Sequence, residues 1–143
     1  MKGKILLIAF ISILTLANLK TMAQEELQSG TANKLVVLWT SDDPYVAERV
    51  AFMYTHAAKK NQWFKEVTLI VWGPSAKLIS ENKKLQEKVK AMQEDGVEIQ
   101  ACIACASSYN VVEDLKALGF EVKGMGKPLT EYLKSANVKV LTF

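Results

Sequence analysis

Leu35-Val36-Val37-Leu38-Trp39 is an unbroken apolar run that stops at Thr40-Ser41-Asp42-Asp43-Pro44. A run this short with no polar side suits a strand covered on both faces, as strands of parallel sheets are. The residues after it are those that start a helix. Asp43 can accept hydrogen bonds from the first free amides, and Pro44 has the fixed φ that a first helical position takes. A helix is therefore expected from Pro44 to about Asn61, with Val46, Val50, Met53 and Ala57 as its inner stripe.

The same unit repeats along the chain. Val67 to Trp72 is a second apolar run, stopped by Gly73-Pro74. Ser75 to Ile79 reads as a short helical turn and Lys83 to Glu94 as a longer helix. Leu85, Val89 and Met92 form the apolar face of the longer helix, and Asp95-Gly96 ends it. Val97 to Ala101 alternates apolar and polar, which predicts a third strand with one less-covered face. One helix is expected from Ala106 or Ser107 through Val111, Val112, Leu115 and Leu118 to Gly119. A short strand at Phe120-Glu121-Val122, a helix from Leu129 to Ala136 and a last strand from Val138 to Phe143 follow. Alternation of strand and helix predicts a single α/β domain: an open, mostly parallel five-stranded sheet with helices on both faces, because parallel neighbours need crossover connections.

The third strand runs straight into Cys102-Ile103-Ala104-Cys105, which holds both cysteines of the chain. The carboxyl ends of strands are where open α/β sheets place ligands and chemistry. Cys-x-x-Cys is also the spacing of a dithiol redox pair, and a helix beginning near Cys105 would favour a thiolate there. A competing reading makes Cys102 a small buried hydrophobe and Cys105 an inert helix residue. A thioredoxin-like oxidoreductase would carry its pair after an early strand, with a proline-bearing loop beside it; here the pair comes late and no such loop is evident.

The first residues bear on the redox setting of these thiols. Lys2 and Lys4 precede the apolar run Ile5 to Ala17, and Thr21-Met22-Ala23 follows a polar break at Asn18 and Lys20. A basic start, a short apolar core and a small residue at the end make a secretory signal peptide. Cleavage is expected after Ala23, with Ala17 as the second choice, which makes the protein periplasmic or secreted. An uncleaved anchor is the alternative, disfavoured because a spanning helix needs about 20 apolar residues. No stable membrane span is expected after cleavage. Residues 24–33 read as a polar, flexible leader and 34–143 as the domain. The full chain is +3, and residues 1–23 contain Lys2, Lys4 and Lys20 and no acid, so the mature protein is near neutral. A nucleic-acid partner is not expected from that balance. In an extracytoplasmic space a disulfide between the two cysteines is chemically accessible.

Other candidates carry less. His56, the only histidine, falls on the first helix beside the expected inner stripe and reads as structural or surface. With one histidine and two cysteines no zinc site can be assembled from spacing, so no metal is expected. Gly124-Met125-Gly126 is too late and isolated for a dinucleotide fingerprint, and no cofactor is expected. Lys83, Lys84, Lys88 and Lys90 with Glu81, Glu87 and Glu94 read as a solvated helix face.

Taken together, Leu35 to Pro44, Val67 to Trp72, Gly96 to Cys102, Leu129-Thr130-Glu131-Tyr132-Leu133 and Val138 to Phe143 resemble the DsrE/DsrF-like family over nearly all of the mature domain. The resemblance implies the layering of DsrE and flavodoxin-like proteins. It further implies a small sulfur-relay protein or sulfurtransferase of the TusD kind, which carries sulfur as a cysteine persulfide and assembles into oligomers. By position Cys102 matches the family's strand-end cysteine; Cys105 has no such match, and its spacing from Cys102 makes it a candidate resolving partner. A persulfide needs shelter from stray reductants. Neighbouring strand ends are expected to supply it as a rim of Trp39, Ser41, Asp42, Trp72, Gly73, Gly124 and Lys127. The expected partners are further copies of the chain and a sulfur-donor or thiol protein. The reading from a different class is a non-catalytic oligomeric module that binds a small ligand or protein and whose cysteines are inert.

Overall fold

The computed structural model describes residues 32–143. The expected signal peptide over 1–23 and all of the leader except Ala32 and Asn33 lie outside the described residues. Strand β1 is Lys34–Trp39. Helix α1 follows in three continuous pieces: an opening turn Pro44–Val46, a π-helical turn Ala47–Ala51 and a regular stretch Phe52–Lys60. Then come β2 (Glu66–Val71), α2 (Ser75–Glu81), α3 (Lys83–Glu94), β3 (Glu98–Cys102), α4 (Ile103–Ser108), α5 (Val112–Ala117), β4 (Glu121–Lys123), α6 (Gly126–Lys134) and β5 (Val138–Thr142).

All five strands are parallel, in the order β4-β3-β2-β1-β5. The order explains the layering. Strands β1 to β4 advance one place at a time in one direction, so right-handed crossovers put α1 to α5 on a single face. The chain then returns past the whole sheet to reach β5, and the same handedness puts α6 on the other face. The first face holds the large core, with Leu35, Val37, Trp39, Leu69, Val71, Ile99 and Ala101 meeting Phe52, Ile79, Leu85, Met92 and Leu115. The second core is smaller: Val36, Ile70, Cys102 and Met125 are buried, with Leu129 and Tyr132 of α6 packed against them. Helices therefore lie on both faces, but very unequally. Among the described residues no helix is long and apolar enough to cross a membrane.

Helix α1 starts as its sequence predicts. The Asp43 carboxylate accepts from the Tyr45 amide at 2.7 Å and the Val46 amide at 3.3 Å, and Pro44 takes the first position. Its inner stripe is a correction. Ala47, Ala51, Phe52, Thr55 and Ala58 are buried, whereas Val50 and Met53 are exposed. Three alanines let the helix axis come close to the sheet, and the π turn accommodates the change of phase. Thr55 can be buried because its hydroxyl donates to the Ala51 carbonyl at 2.6 Å.

Two further boundaries differ. The single helix expected from Ala106 to Leu118 is two, separated by a turn in which Asn110 has φ +57°, a conformation asparagine tolerates better than most residues. The expected solvated face of α3 is in part an inter-helix tie: Lys84 and Lys88 approach Glu48 of α1 at 2.7 and 3.4 Å. The Lys84 hydrogen bond holds the Glu48 carboxyl below its ordinary range.

Candidate functional site: a strand-end thiol pair

Cys102 is the last residue of β3 and the N-cap of α4, with an extended backbone and no hydrogen bond from its side chain to the helix amides. The thiol points instead into the second-face core with Val36, Ile70 and Met125 and is 5% exposed. Helix α4 begins at Ile103, earlier than expected, so Cys105 falls in its first turn. One helical turn brings the Cys105 side chain back over the N-cap, where its thiol lies beside that of Cys102. Both cysteines are free thiols. Cys105 is partly exposed and packs against both cores, so the pair sits at the carboxyl edge of the sheet where its two faces meet.

The loop after β2 forms the adjoining wall. Trp72 packs against the same core as both cysteines, and the Gly73 backbone lies beside the Cys105 thiol. Gly73 has φ +67°, and a Cβ there would meet no atom within 4 Å, so the glycine supplies a backbone conformation rather than clearance. The loop is anchored by Ser75, which is fully buried. Its hydroxyl lies 2.8 Å from the Trp39 carbonyl and 3.0 Å from the Trp72 carbonyl, and it accepts from the Trp72 amide at 3.0 Å. Ser75→Ala leaves buried backbone groups short of a partner and should cost about 1–3 kcal/mol. Urea unfolding measures the loss, and native-state alkylation of Cys105 should rise as the loop loosens.

Burial pushes the Cys105 thiol above its ordinary value; the Gly73 amide pulls the other way, and the adjacent Cys102 adds to the rise. Alkylation requires the thiolate, so its rate at Cys105 should reach half-maximum at a higher pH than for an exposed cysteine peptide. The sign for stability follows from linkage. A folded value above the unfolded one means that the folded state holds the proton more tightly. This contribution is complete below the unfolded thiol value and is lost as pH rises through the folded value.

The expected rim is only partly assembled. Trp72 and Gly73 border the thiols, but Trp39 does not. It is fully buried on the opposite face of β1, edge-on to Phe52 with ring centroids 4.8 Å apart. Residues that alternate along a strand point to opposite sides, and Trp39 aligns with Val71 and Ala101 rather than with Cys102. Ser41 accepts from the Asp43 amide at 3.0 Å and shapes the helix entrance, and Asp42 is exposed. Gly124 is exposed, and the Lys127 ammonium stands in solvent 3.9 Å from Glu131. Met125, between them, is the residue missed: it is fully buried in the core that encloses Cys102. A lone apolar residue between two glycines reads as a turn, and only the return of the chain across the sheet shows otherwise.

His56 lies away from the thiols, on a groove of about 660 Å³ between α1 and α3 that includes neither cysteine. It bonds Asp95 at 2.6 Å and holds that carboxyl below its ordinary range, so it ties α1 to the end of α3. Among the described residues no group of three or more His, Cys, Asp or Glu side chains converges as a metal site would require.

The profile of the DsrE/DsrF-like family matches residues 34–143, the whole of the sheet and its helices. The chain belongs to the DsrE/DsrF-like family. It is similar to a conserved protein of unknown function, BT1422, from Bacteroides thetaiotaomicron, at 35% identity and a TM-score of 0.74, covering 78% of this chain and 95% of that one. The YchN protein of E. coli shares the fold at 13% identity and a TM-score of 0.59, over 79% of this chain and 100% of that one. No curated protein matches. DsrE/DsrF-like membership associates the chain with sulfur relay and thiol chemistry.

Proposed function

We propose that the protein handles sulfane sulfur, held as a cysteine persulfide, at the Cys102–Cys105 pair. The observation that carries this reading is the meeting of two free thiols at the carboxyl end of β3, one opening outward and the other enclosed. A persulfide carrier must be reachable by its donor and yet be shielded from adventitious thiols, and one reachable and one enclosed sulfur meet both demands.

The setting proposed for this chemistry is outside the cytosol, on the signal-like pattern of residues 1–23. We further propose that the chain associates with copies of itself and with a thiol protein that delivers or collects sulfur. Tyr45, Met53 and Trp63, each more than half exposed, offer apolar surface for such contacts. The burial of Cys102 favours the competing reading, a binding module with inert thiols. Incubation with a low-molecular-weight persulfide followed by desalting separates the two. A sulfur carrier retains sulfur that cyanide can remove or gives it up as sulfide, and the Cys102→Ser/Cys105→Ser double variant does neither. Equal retention and equal sulfide release by the two proteins would contradict the proposal.

A further inference from the structure

Within that sulfane-sulfur reading, on which this inference rests, we propose a division of labour: Cys105 takes up the sulfur and Cys102 discharges it as sulfide. This reverses the order expected from Cys102 being the strand-end cysteine, and it follows from how the two side chains are placed. Cys105 is the partly exposed thiol, on the first turn of α4 between exposed Ala104 and buried Ala106. Cys102 is enclosed by Val36, Ile70 and Met125. A donor persulfide can therefore reach Cys105, while an added sulfur on Cys102 would have to displace packed side chains.

The chemistry proceeds in balanced steps. The Cys105 thiolate attacks the outer sulfur of a donor persulfide; the donor's S–S bond breaks, its thiolate leaves and takes up a proton, and Cys105 holds the sulfane sulfur. The atom that lies beside Cys102 is the inner sulfur, the Sγ of Cys105. Attack by the Cys102 thiolate there forms a Cys102–Cys105 disulfide and expels the outer sulfur as hydrosulfide, which gains the proton that Cys102 lost. The two cysteine sulfurs are oxidised and the sulfane sulfur is reduced. An external dithiol resets the pair and leaves as its own disulfide.

The test compares wild type, Cys105→Ser and Cys102→Ser after exposure to cysteine persulfide, reading sulfide release and the intact mass. Wild type should release sulfide and acquire an internal disulfide. Cys102→Ser should hold one added sulfur on Cys105 and release sulfide only at background level. Cys105→Ser should neither load nor release. Should the buried hydroxyl prevent Cys102→Ser from folding, Cys102→Ala is expected to give the same loaded state. Loading of Cys105→Ser at Cys102, with none on the Cys102 variants, would overturn the division of labour and leave sulfur carriage intact. Wild type that takes up no sulfur would overturn both.

Discussion

Met125→Ala is expected to lower the unfolding free energy by about 2–5 kcal/mol and to make Cys102 reactive in the native state. Met125 is fully buried in the small core where Val36 of β1, Ile70 of β2 and Cys102 of β3 meet. That core is covered by a single helix, so it has little to collapse inward when the methionine is truncated. The cavity would open beside the Cys102 thiol. Denaturant unfolding reads the first effect. Alkylation followed by peptide mapping reads the second, with Cys102 labelling in the variant approaching the rate of Cys105. Unchanged Cys102 labelling in a folded Met125→Ala protein would show that something other than this side chain protects the thiol.

Leu69→Ala should be equally costly for a different reason. Leu69 is fully buried on β2, paired with Val37 on one side and Ile99 on the other, and faces the large core beneath α1 to α5. Truncation removes about 2–5 kcal/mol through lost burial and a cavity that a rigid central strand cannot close. Leu133→Ala on α6, where the side chain is 65% exposed, should change stability by less than about 0.5 kcal/mol. The two variants together separate the core from the surface by urea midpoint, and both should retain the persulfide chemistry to the extent that they are folded.

The main features of the fold are legible in the sequence because strand and helix carry different periods. Leu35 to Trp39 and Val67 to Trp72 announce buried parallel strands, and Asp43-Pro44 announces the helix between them. The phase of α1 is not legible, because a stripe of Ala47, Ala51 and Ala58 carries less hydrophobic signal than Val50 and Met53, which nevertheless face outward. Close approach to the sheet selects small residues there, and only the sheet shows that. The site is half legible. Cys102 and Cys105 stand out by spacing, and Trp72 and Gly73 by their place after a strand. Trp39 follows the same logic and fails, since the strand-end position does not tell which face a side chain takes. Ser75 and Met125 acquire their roles from backbone carbonyls and a crossing helix that are remote or unmarked in sequence. The relative exposure of the two thiols, on which the chemistry turns, is likewise a tertiary property.

The central claim, sulfur held at the Cys102–Cys105 pair, is tested most directly by the intact mass of protein isolated from its own cells, with and without reductant and after alkylation without unfolding. The expected result is a reducible gain of one sulfur atom on the peptide containing both cysteines, accompanied by a fraction with an internal disulfide. Two unmodified thiols that react only after denaturation would contradict the claim and leave the fold as a binding module.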